Sequence, residues 1–285
     1  MKNSRGLMCN GVKIIYQCSD FVVAEKPHNL PTAPLKEGEN NTALEEVLRQ
    51  FEAGRSVLGK KAVEHGLVHR LDTATHGLFV VTLNQPAFDN LWAQQQQGAF
   101  IKTYTAFCSK QKNPDFPVCN FVPSLGEKIT SHFRYYGKGR SEVRPVACCE
   151  KCGKAAAKKA EHGEYTTIIE KIKEFDGFLP QIYENFKIYS VQCALNKGFK
   201  HQIRAHLAWA GLPIIGDFLY CPAYKQYAAR QNIAENFLNG ANAGLCQDSE
   251  NFQNIPLQLH ATQLHFWHPS TGEPCNFSID PKPSF

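Results

Sequence analysis

The sequence predicts an α+β protein built on a mixed, mainly antiparallel β-sheet with flanking helices. Segments with the two-residue alternation of β-strands outnumber segments with helical periodicity, and tight turns join many neighbouring strands. Strands connected in this way pair antiparallel, and helices then cover the sheet. No internal repeat or convincing linker divides the 285 residues, so we expect a single domain over residues 1–285.

Most of the predicted elements are strands bounded by turn residues. The predicted strands span residues 12–18, 21–27, 78–83, 101–107, 165–172, 186–195, 257–266 and 274–279. The spacing of Lys102 and Tyr104 places both side chains on one face of their strand, because strand side chains repeat every two residues.

Three helices have recognisable ends. Thr42 is an N-cap candidate for a helix to Arg49, with Glu45 three residues on in a capping-box pattern. A second helix starts near Pro86 and stops at Gly98. A third is predicted over 201–210.

The composition is that of an ordinary globular protein, with 43% hydrophobic and 20% charged residues. The net charge of +5 suits a phosphate-rich partner but is weak evidence alone. The first residues lack the apolar core of a secretion signal, and the apolar runs are too short to span a bilayer. We therefore expect a cytoplasmic protein whose eleven cysteines are reduced thiols.

Three segments carry residues suited to chemistry. Asp72 follows a basic pair and precedes a Thr/Gly turn and an apolar strand, although a lone Asp there is usually a turn residue. Tyr104 lies in a strand, where a Tyr usually packs but can also offer an aromatic surface or an acid/base group to a nucleotide. Arg204 lies beside His201 at the start of the third helix, where anions bind, unless it is merely solvated.

Together these segments resemble the RluA family of pseudouridine synthases over about residues 12–280. The matching strings are His69-Arg70-Leu71-Asp72 with Thr75 and Gly77-Leu78, Lys102-Thr103-Tyr104-Thr105-Ala106, and His201-Gln202-Ile203-Arg204-Ala205-His206-Leu207 with Gly211, Pro213, Ile214, Gly216-Asp217 and Tyr220. Similar strings also occur at Ile14 to Pro27 and at His268 to Pro274. Several motifs in the family's order are very improbable by chance.

The resemblance implies an isomerase that converts a uridine in tRNA or rRNA to pseudouridine. Such enzymes break the N1–C1′ bond, turn the base over and rejoin it through C5, without metal or other cofactor. It also implies the family's fold, with RNA in a central cleft. We further expect a monomer without a membrane partner. Because about a dozen residues precede the first strand, we expect no N-terminal module of the S4 type.

The resemblance also implies roles for individual residues. Asp72 matches the nucleophile, Arg204 the basic residue that pairs with it, and Tyr104 the tyrosine that lies against the target base. Arg70 matches a residue that fills the gap left by the flipped base. An Asp must be ionised to attack, and a neighbouring Arg keeps its pKa low. The neighbouring residues predicted to bind RNA are His69, Lys102, His201 and Lys200.

Two positions depart from the family pattern. His76 stands where the family usually has Ser, and Phe199 stands where an Arg is expected. The stretch between Tyr104 and Arg204 also exceeds the family core, so we predict a surface insertion within residues 110–164. Its basic residues either help to grip RNA or form a solvated loop; they are Arg134, Lys138, Arg140, Arg144, Lys151, Lys154, Lys158 and Lys159.

Other hypotheses about the function have less support in the sequence. A catalytically inactive RNA-binding protein of the same fold is the main alternative, and a hydrolase using Asp72 with His69 is another. Cys149 and Cys152 have the spacing of half a zinc site, but no second pair lies nearby. We expect no metal site at these cysteines. Three histidines near the end of the sequence are expected to be ordinary strand residues: His260, His265 and His268.

Overall fold

The computed structural model describes residues 8–9, 11–116, 124–146, 163–230 and 255–283. The strands are β1 (Met8–Cys9), β2 (Val12–Gln17), β3 (Phe21–Lys26), β4 (His76–Thr82), β5 (Ile101–Ser109), β6 (Lys128–Tyr136), β7 (Glu142–Val146), β8 (Tyr165–Glu174), β9 (Ile188–Leu195), β10 (Leu259–Trp267) and β11 (Pro274–Ser278). The helices are α1 (Ala43–Gln50), α2 (Gln85–Gln97), α3 (Gln202–Trp209) and α4 (Pro222–Arg230).

The described residues fall into two compact units. The first contains residues up to Thr105, Ala194–Lys197 and Leu259–Pro281. The second contains the described parts of Ala106–Cys193 and Gly198–Gln258. The single domain expected for residues 1–285 stays a prediction.

The first unit contains a mixed sheet. Its strands follow the order β1, β2, β3, β4 and β10, with β11 pairing β10. Neighbouring pairs are antiparallel except β4 and β10, which run parallel with His76 opposite His260. A parallel pair needs a long crossover connection, and here most of the chain lies between the two strands. The predicted mixed, mainly antiparallel α+β class is confirmed.

The first unit buries both faces of its sheet, and the two-residue period of the strands divides their side chains between two cores. Phe21 and Val23 of β3 pack with Leu91 of α2 in one core. The alternate residues Val22 and Ala24 pack in the other core, which also contains α1. A strand covered on both faces is apolar at nearly every position, which explains the continuous apolar sequence of β3 and β4.

The second unit contains the antiparallel pairs β6–β7 and β6–β8, and α3 packs on β7 and β8. The sequence reading missed β6 and β7 because it treated the start of the 110–164 segment as irregular. Ile129, Ser131 and Phe133 do alternate inward along β6. The polar Ser131 interrupts the apolar pattern, yet it is buried because it bonds to His206 (2.9 Å).

Local signals located the helix ends well. The Thr42 hydroxyl accepts from the Glu45 amide (3.2 Å), although the Glu45 carboxylate pairs with Arg55 instead of completing the capping box. Asn84 caps α2, and Gly98 ends it in the left-handed region with φ 74°. The predicted helix over 201–210 is confirmed as α3.

The predictions on membrane spans, cysteines and the insertion concern more than single strands or helices. Among the described helices, none combines the length and apolarity needed to cross a bilayer. The described cysteines with assigned states are free thiols, as expected; they are Cys18, Cys108, Cys193, Cys221 and Cys275. Cys149 and Cys152 lie outside the described residues, as does most of 151–164. The surface insertion within residues 110–164 therefore stays a prediction.

Gly77 marks a close approach between β4 and β10. Its φ is 127°, and an added Cβ would lie 2.3 Å from the Ala261 carbonyl oxygen. We expect Gly77→Ala to lower the free energy of unfolding by about 2–3 kcal/mol, because it combines backbone strain with a backbone clash. Urea denaturation measures the change. Gly198→Ala is the control, since nothing lies within 4 Å of its Cβ position; equal losses in both variants would contradict the prediction.

Candidate active site

Asp72 lies in a tight turn that leads into β4. The Thr75 amide donates to the Asp72 carbonyl (3.0 Å), which closes the turn. Before the turn, the Val68 amide donates to the Val80 carbonyl of β4 (3.0 Å). The chain entering the turn is therefore paired with the strand that leaves it. Asp72 itself is half-buried at this fixed point.

The side chain of Lys26 bonds to backbone carbonyls of this turn and of the loop after β3. Its Nζ donates to the carbonyls of Thr73 (2.9 Å), Pro27 (2.9 Å) and Leu30 (2.7 Å). An ammonium has three N–H donors, so the three carbonyls match its capacity. Burial lowers the pKa of Lys26 to about 7, and the negative charge of Asp72 opposes this shift. Lys26 was not among the predicted site residues; the available signal was a Lys closing an apolar strand before Pro27.

Two further side chains bind carbonyls in the same turn. Thr32 donates its hydroxyl to the Leu71 carbonyl (2.7 Å) and accepts from the Leu71 amide (3.1 Å). His28 donates from Nδ1 to the Ala74 carbonyl (2.9 Å). The carbonyls of residues 71–74 thus each have a partner. A turn satisfied in this way holds the carboxylate of Asp72 in a defined place.

Tyr104 lies in β5, in the same unit as Asp72, and is 8% exposed. Burial raises the pKa of Tyr104, and the charge of Asp72 raises it further. The phenol therefore stays protonated near neutral pH and interacts electrostatically with the Asp72 carboxylate. The predicted strand over 101–107 is confirmed as part of β5, and every residue of β5 after Ile101 is buried.

Arg204 lies on α3 in the second unit and is 4% exposed. Its Nε and Nη2 donate to the two carboxylate oxygens of Asp217, at 2.7 and 2.9 Å. The same carboxylate accepts from the amides of Leu219 and Tyr220. This bidentate pair fixes the plane of the guanidinium. Because Asp72 and Arg204 belong to different units, their pairing stays a prediction.

Two of the residues predicted to bind RNA are buried. His69 is 6% exposed and packs against Phe100, and burial lowers its pKa to about 3. Lys102 is 5% exposed and donates from Nζ to the Asn196 carbonyl (3.3 Å). Both side chains are as buried as those of Tyr104 and Arg204, and their contact with RNA stays a prediction. Sequence alone gave no sign of this burial.

The other predicted RNA-binding residues are more accessible. Arg70 is exposed and pairs with the buried carboxylate of Glu64 (3.1 Å). Lys200 is exposed and donates to the Arg140 carbonyl (2.9 Å). His201 is half-buried at the start of α3, in the left-handed region with φ 53°, where its Nδ1 bonds the Tyr220 hydroxyl (3.0 Å). Their contact with RNA stays a prediction.

The first departure from the family pattern, His76, joins a group of histidines beside the Asp72 turn. Its Nε2 lies 3.0 Å from the Glu25 carboxylate, and its Nδ1 lies 3.2 Å from Nδ1 of His260. His28 packs against both rings. Burial lowers the pKa of His28 and lowers that of His260 to about 3, so both rings are neutral near pH 7. His260 was expected to be an ordinary strand residue.

The second departure, Phe199, belongs to an aromatic cluster in the second unit. Its ring stacks on Phe133 with centroids 5.0 Å apart and lies 4.8 Å from the ring of Tyr165. Stacked and tilted aromatic pairs stabilise beyond the area they bury. Phe199 therefore holds the loop before α3 against β6 and β8, where an Arg would offer charge.

A family model described as RNA pseudouridylate synthase matches residues 20–209. The chain belongs to this family. The match includes the Asp72 turn, β5 with Tyr104, and Arg204 of α3, so the resemblance noted from the sequence motifs is confirmed.

Curated relatives agree over almost the whole chain. The chain is 26% identical to an uncharacterized RNA pseudouridine synthase of Aquifex aeolicus, covering 96% of this chain and 71% of the relative. It is also 26% identical to the dual-specificity RNA pseudouridine synthase RluA of Yersinia pestis, covering 94% and 98%. For the ribosomal large subunit pseudouridine synthase D of Haemophilus influenzae, the identity is 26% and the chain spans 65% of that protein.

Solved structures support the fold. Human RNA pseudouridylate synthase domain containing 1 superposes with a TM-score of 0.54 at 17% identity, covering 94% of this chain and 83% of that one. Human RNA pseudouridylate synthase domain containing 4 gives the same TM-score at 18% identity. The predicted pseudouridine synthase fold is confirmed, whereas the central RNA-binding cleft stays a prediction.

The Arg204–Asp217 pair generates a stability prediction. Asp217→Asn removes the buried negative charge opposite Arg204, and breaking a buried ion pair costs about 3–5 kcal/mol. We expect a loss of that size in urea denaturation. Asp115→Asn is the matched control, because its pair with Lys225 is exposed and contributes less than about 1 kcal/mol. A loss of under about 1 kcal/mol in Asp217→Asn would contradict a structural role for the pair.

Lys102 generates a pH prediction. Burial lowers its pKa from 10.5 to about 8, with the charge of Lys60 adding to the shift. Below pH 8 both folded and unfolded chains hold the proton, and the folded state bears the cost of a buried charge. Between pH 8 and 10.5 only the unfolded chain holds it, so the contribution of Lys102 to stability rises with pH.

We therefore compare the native protein with Lys102→Met. Between pH 7 and pH 10, the free energy of unfolding of the native protein should rise by about 2 kcal/mol relative to that of Lys102→Met. Lys61→Met replaces an exposed lysine and should show no such trend. A difference between native protein and Lys102→Met that stays flat with pH would show that the amine is charged throughout this range.

Proposed function

We propose that this protein isomerises a specific uridine in tRNA or rRNA to pseudouridine, with Asp72 as the nucleophile. The observation that carries the proposal is the fixed Asp72 turn beside Tyr104, within the segment that matches the family. The names of the relatives include a ribosomal large subunit enzyme and a dual-specificity RNA enzyme, which supports RNA as the substrate. We also propose a cytoplasmic monomer that needs no cofactor.

In the proposed reaction the ionised Asp72 attacks the sugar or the base, and the N1–C1′ bond breaks. The freed base turns over, and C5 bonds to C1′. The proton on C5 is then lost while N1 gains one, so the net change is an isomerisation. The carboxylate leaves unchanged at the end. Tyr104 lies against the base, and Arg204 supplies the positive charge that keeps Asp72 ionised.

The uridine must first leave its stack, which costs a few kcal/mol. Contact with an aromatic ring at the site and occupation of the vacated space by Arg70 offset this cost. Lys200 and His201 of the second unit are the proposed contacts to the RNA backbone. Contacts to phosphates make the affinity fall as the salt concentration rises.

Release of tritium from RNA carrying 5-tritiated uridine tests this function directly. The native protein should release tritium, and Asp72→Asn should reduce release by about 10³-fold or more, because the amide is not a nucleophile. Asp89→Asn replaces an exposed carboxylate on α2 and should keep the native rate. Substrates are transcripts of tRNA and of large-subunit rRNA fragments.

Three outcomes distinguish the alternatives. RNA binding by the native protein without tritium release would support a catalytically inactive RNA-binding protein. Release of free uracil would support a hydrolase. Tritium release by Asp72→Asn at the rate of the native protein would exclude Asp72 as the nucleophile. Mapping pseudouridines in total RNA with and without the gene then identifies the target.

A further inference from the structure

Three histidines from distant parts of the chain meet beside the Asp72 turn. His28 follows β3, His76 begins β4, and His260 lies on β10 in direct register with His76. One ring nitrogen from each lies within 4.8 Å of the others. All three belong to the first unit. The pseudouridine synthase reaction proposed above makes no use of this cluster.

For His28 and His76, hydrogen bonds to outer partners determine which ring nitrogen points inward. Nδ1 of His28 meets the Ala74 carbonyl, which only accepts, so Nδ1 carries the proton and Nε2 carries the lone pair. Nε2 of His76 meets the Glu25 carboxylate, so the lone pair of the neutral ring is on Nδ1, which faces Nδ1 of His260. His260 offers Nδ1 to an ion when its own proton is on Nε2. Metal-binding histidines characteristically donate their outer N–H to a carbonyl or a carboxylate in this way.

The separations suit a tetrahedral ion. Two nitrogens bound to one zinc at 2.0–2.1 Å lie about 3.3 Å apart, and Nδ1 of His76 lies 3.2 Å from Nδ1 of His260. Three imidazoles on such an ion place their ring centres about 5 Å apart. The three ring centroids here are separated by 5.2, 5.4 and 5.2 Å. The ring nitrogen of His28 lies within 4.8 Å of the other two, so it moves inward when all three bind one ion.

We propose that His28, His76 and His260 form a binding site for a divalent late transition metal ion, with Zn²⁺ the best match. Three imidazole nitrogens suit Zn²⁺ and its neighbours in the first row, and a water takes the fourth position. The Glu25 carboxylate orients His76, and the Ala74 carbonyl orients His28. The ion ties the end of the Asp72 turn to β10 and to the loop after β3, and so stiffens the turn.

Metal titration tests the site without reference to enzymatic activity. Metal-free full-length protein is titrated with Zn²⁺ against a chromophoric chelator, and we expect one tight equivalent. His76→Ser places the family's usual residue at this position and should weaken that equivalent by about 100-fold or more. His265→Ser is the control on the same strand, where His265 bonds to Asn276 away from the cluster; it should bind as the native protein does.

Glu25, whose carboxylate contacts the His76 ring, provides a second variant. Glu25→Gln keeps the shape of the side chain but removes the charge that holds the His76 ring. Such outer partners typically change metal affinity by 10–100-fold, and we expect a loss in that range. Circular dichroism confirms that each variant is folded. Zn²⁺ should raise the melting temperature of the native protein and of His265→Ser, and leave that of His76→Ser unchanged.

Cobalt substitution separates this site from the cysteines. Co²⁺ bound by three imidazoles shows visible d–d bands of tetrahedral cobalt without the near-ultraviolet thiolate band. The double variant Cys149→Ser/Cys152→Ser should keep the native spectrum. The proposal is overturned if the native protein fails to bind Zn²⁺ at micromolar concentrations, if His76→Ser binds as well as His265→Ser, or if the cobalt spectrum is that of thiolates.

Discussion

The hydrogen bonds of the buried Lys26 side chain are the interactions on which the Asp72 turn depends. A charge inside a protein is tolerated when hydrogen bonds satisfy it, and here the three acceptors are carbonyls from two separate segments. One acceptor is Thr73 in the turn; the others are Pro27 and Leu30, in the loop after β3. Lys26 can satisfy its protons in this way when both segments close around it. The position of the Asp72 carboxylate follows from this closure.

The strand register determines which side chains lie around Lys26 and the Asp72 turn. Lys26 lies opposite Gly77 in the β3–β4 ladder, and Glu25 lies opposite Leu78. On the other side of β4, His76 is in register with His260. A slip of one residue would turn every side chain of a strand to the opposite face. The apolar cores on both faces prevent such a slip, so hydrophobic packing also fixes the polar groups next to Asp72.

Features determined by neighbouring residues were predictable from the sequence. The Thr42 cap, the Gly98 stop and α3 depend on residues within a turn of each other, and all are confirmed. The motifs around Asp72, Tyr104 and Arg204 were predictable for another reason, because their order matches the family even though the sequence does not state how they are arranged.

Features determined by distant residues were not predictable. Burial of His69 and Lys102 depends on packing from other strands, which the basic pattern of their own segments does not reveal. β6 was missed because the buried Ser131 depends on His206, 75 residues away in the chain. The meeting of His76 and His260 depends on a parallel pairing across 184 residues. No local pattern encodes such contacts.

The electrostatics around Asp72 also constrain the proposed reaction. Burial and the negative charge of Asp72 both oppose ionisation of Tyr104, so the resting phenol is a proton donor and not a base. The proton lost from C5 therefore needs another acceptor while Tyr104 stays protonated. Once C5 has bonded to C1′ and Asp72 is released, its carboxylate again carries a negative charge beside the phenol. A phenol that passes its proton to N1 and regains one from C5 would leave the enzyme unchanged after each turnover. In this scheme Tyr104 acts as a relay whose protonated starting state is set by its burial and by the charge of Asp72.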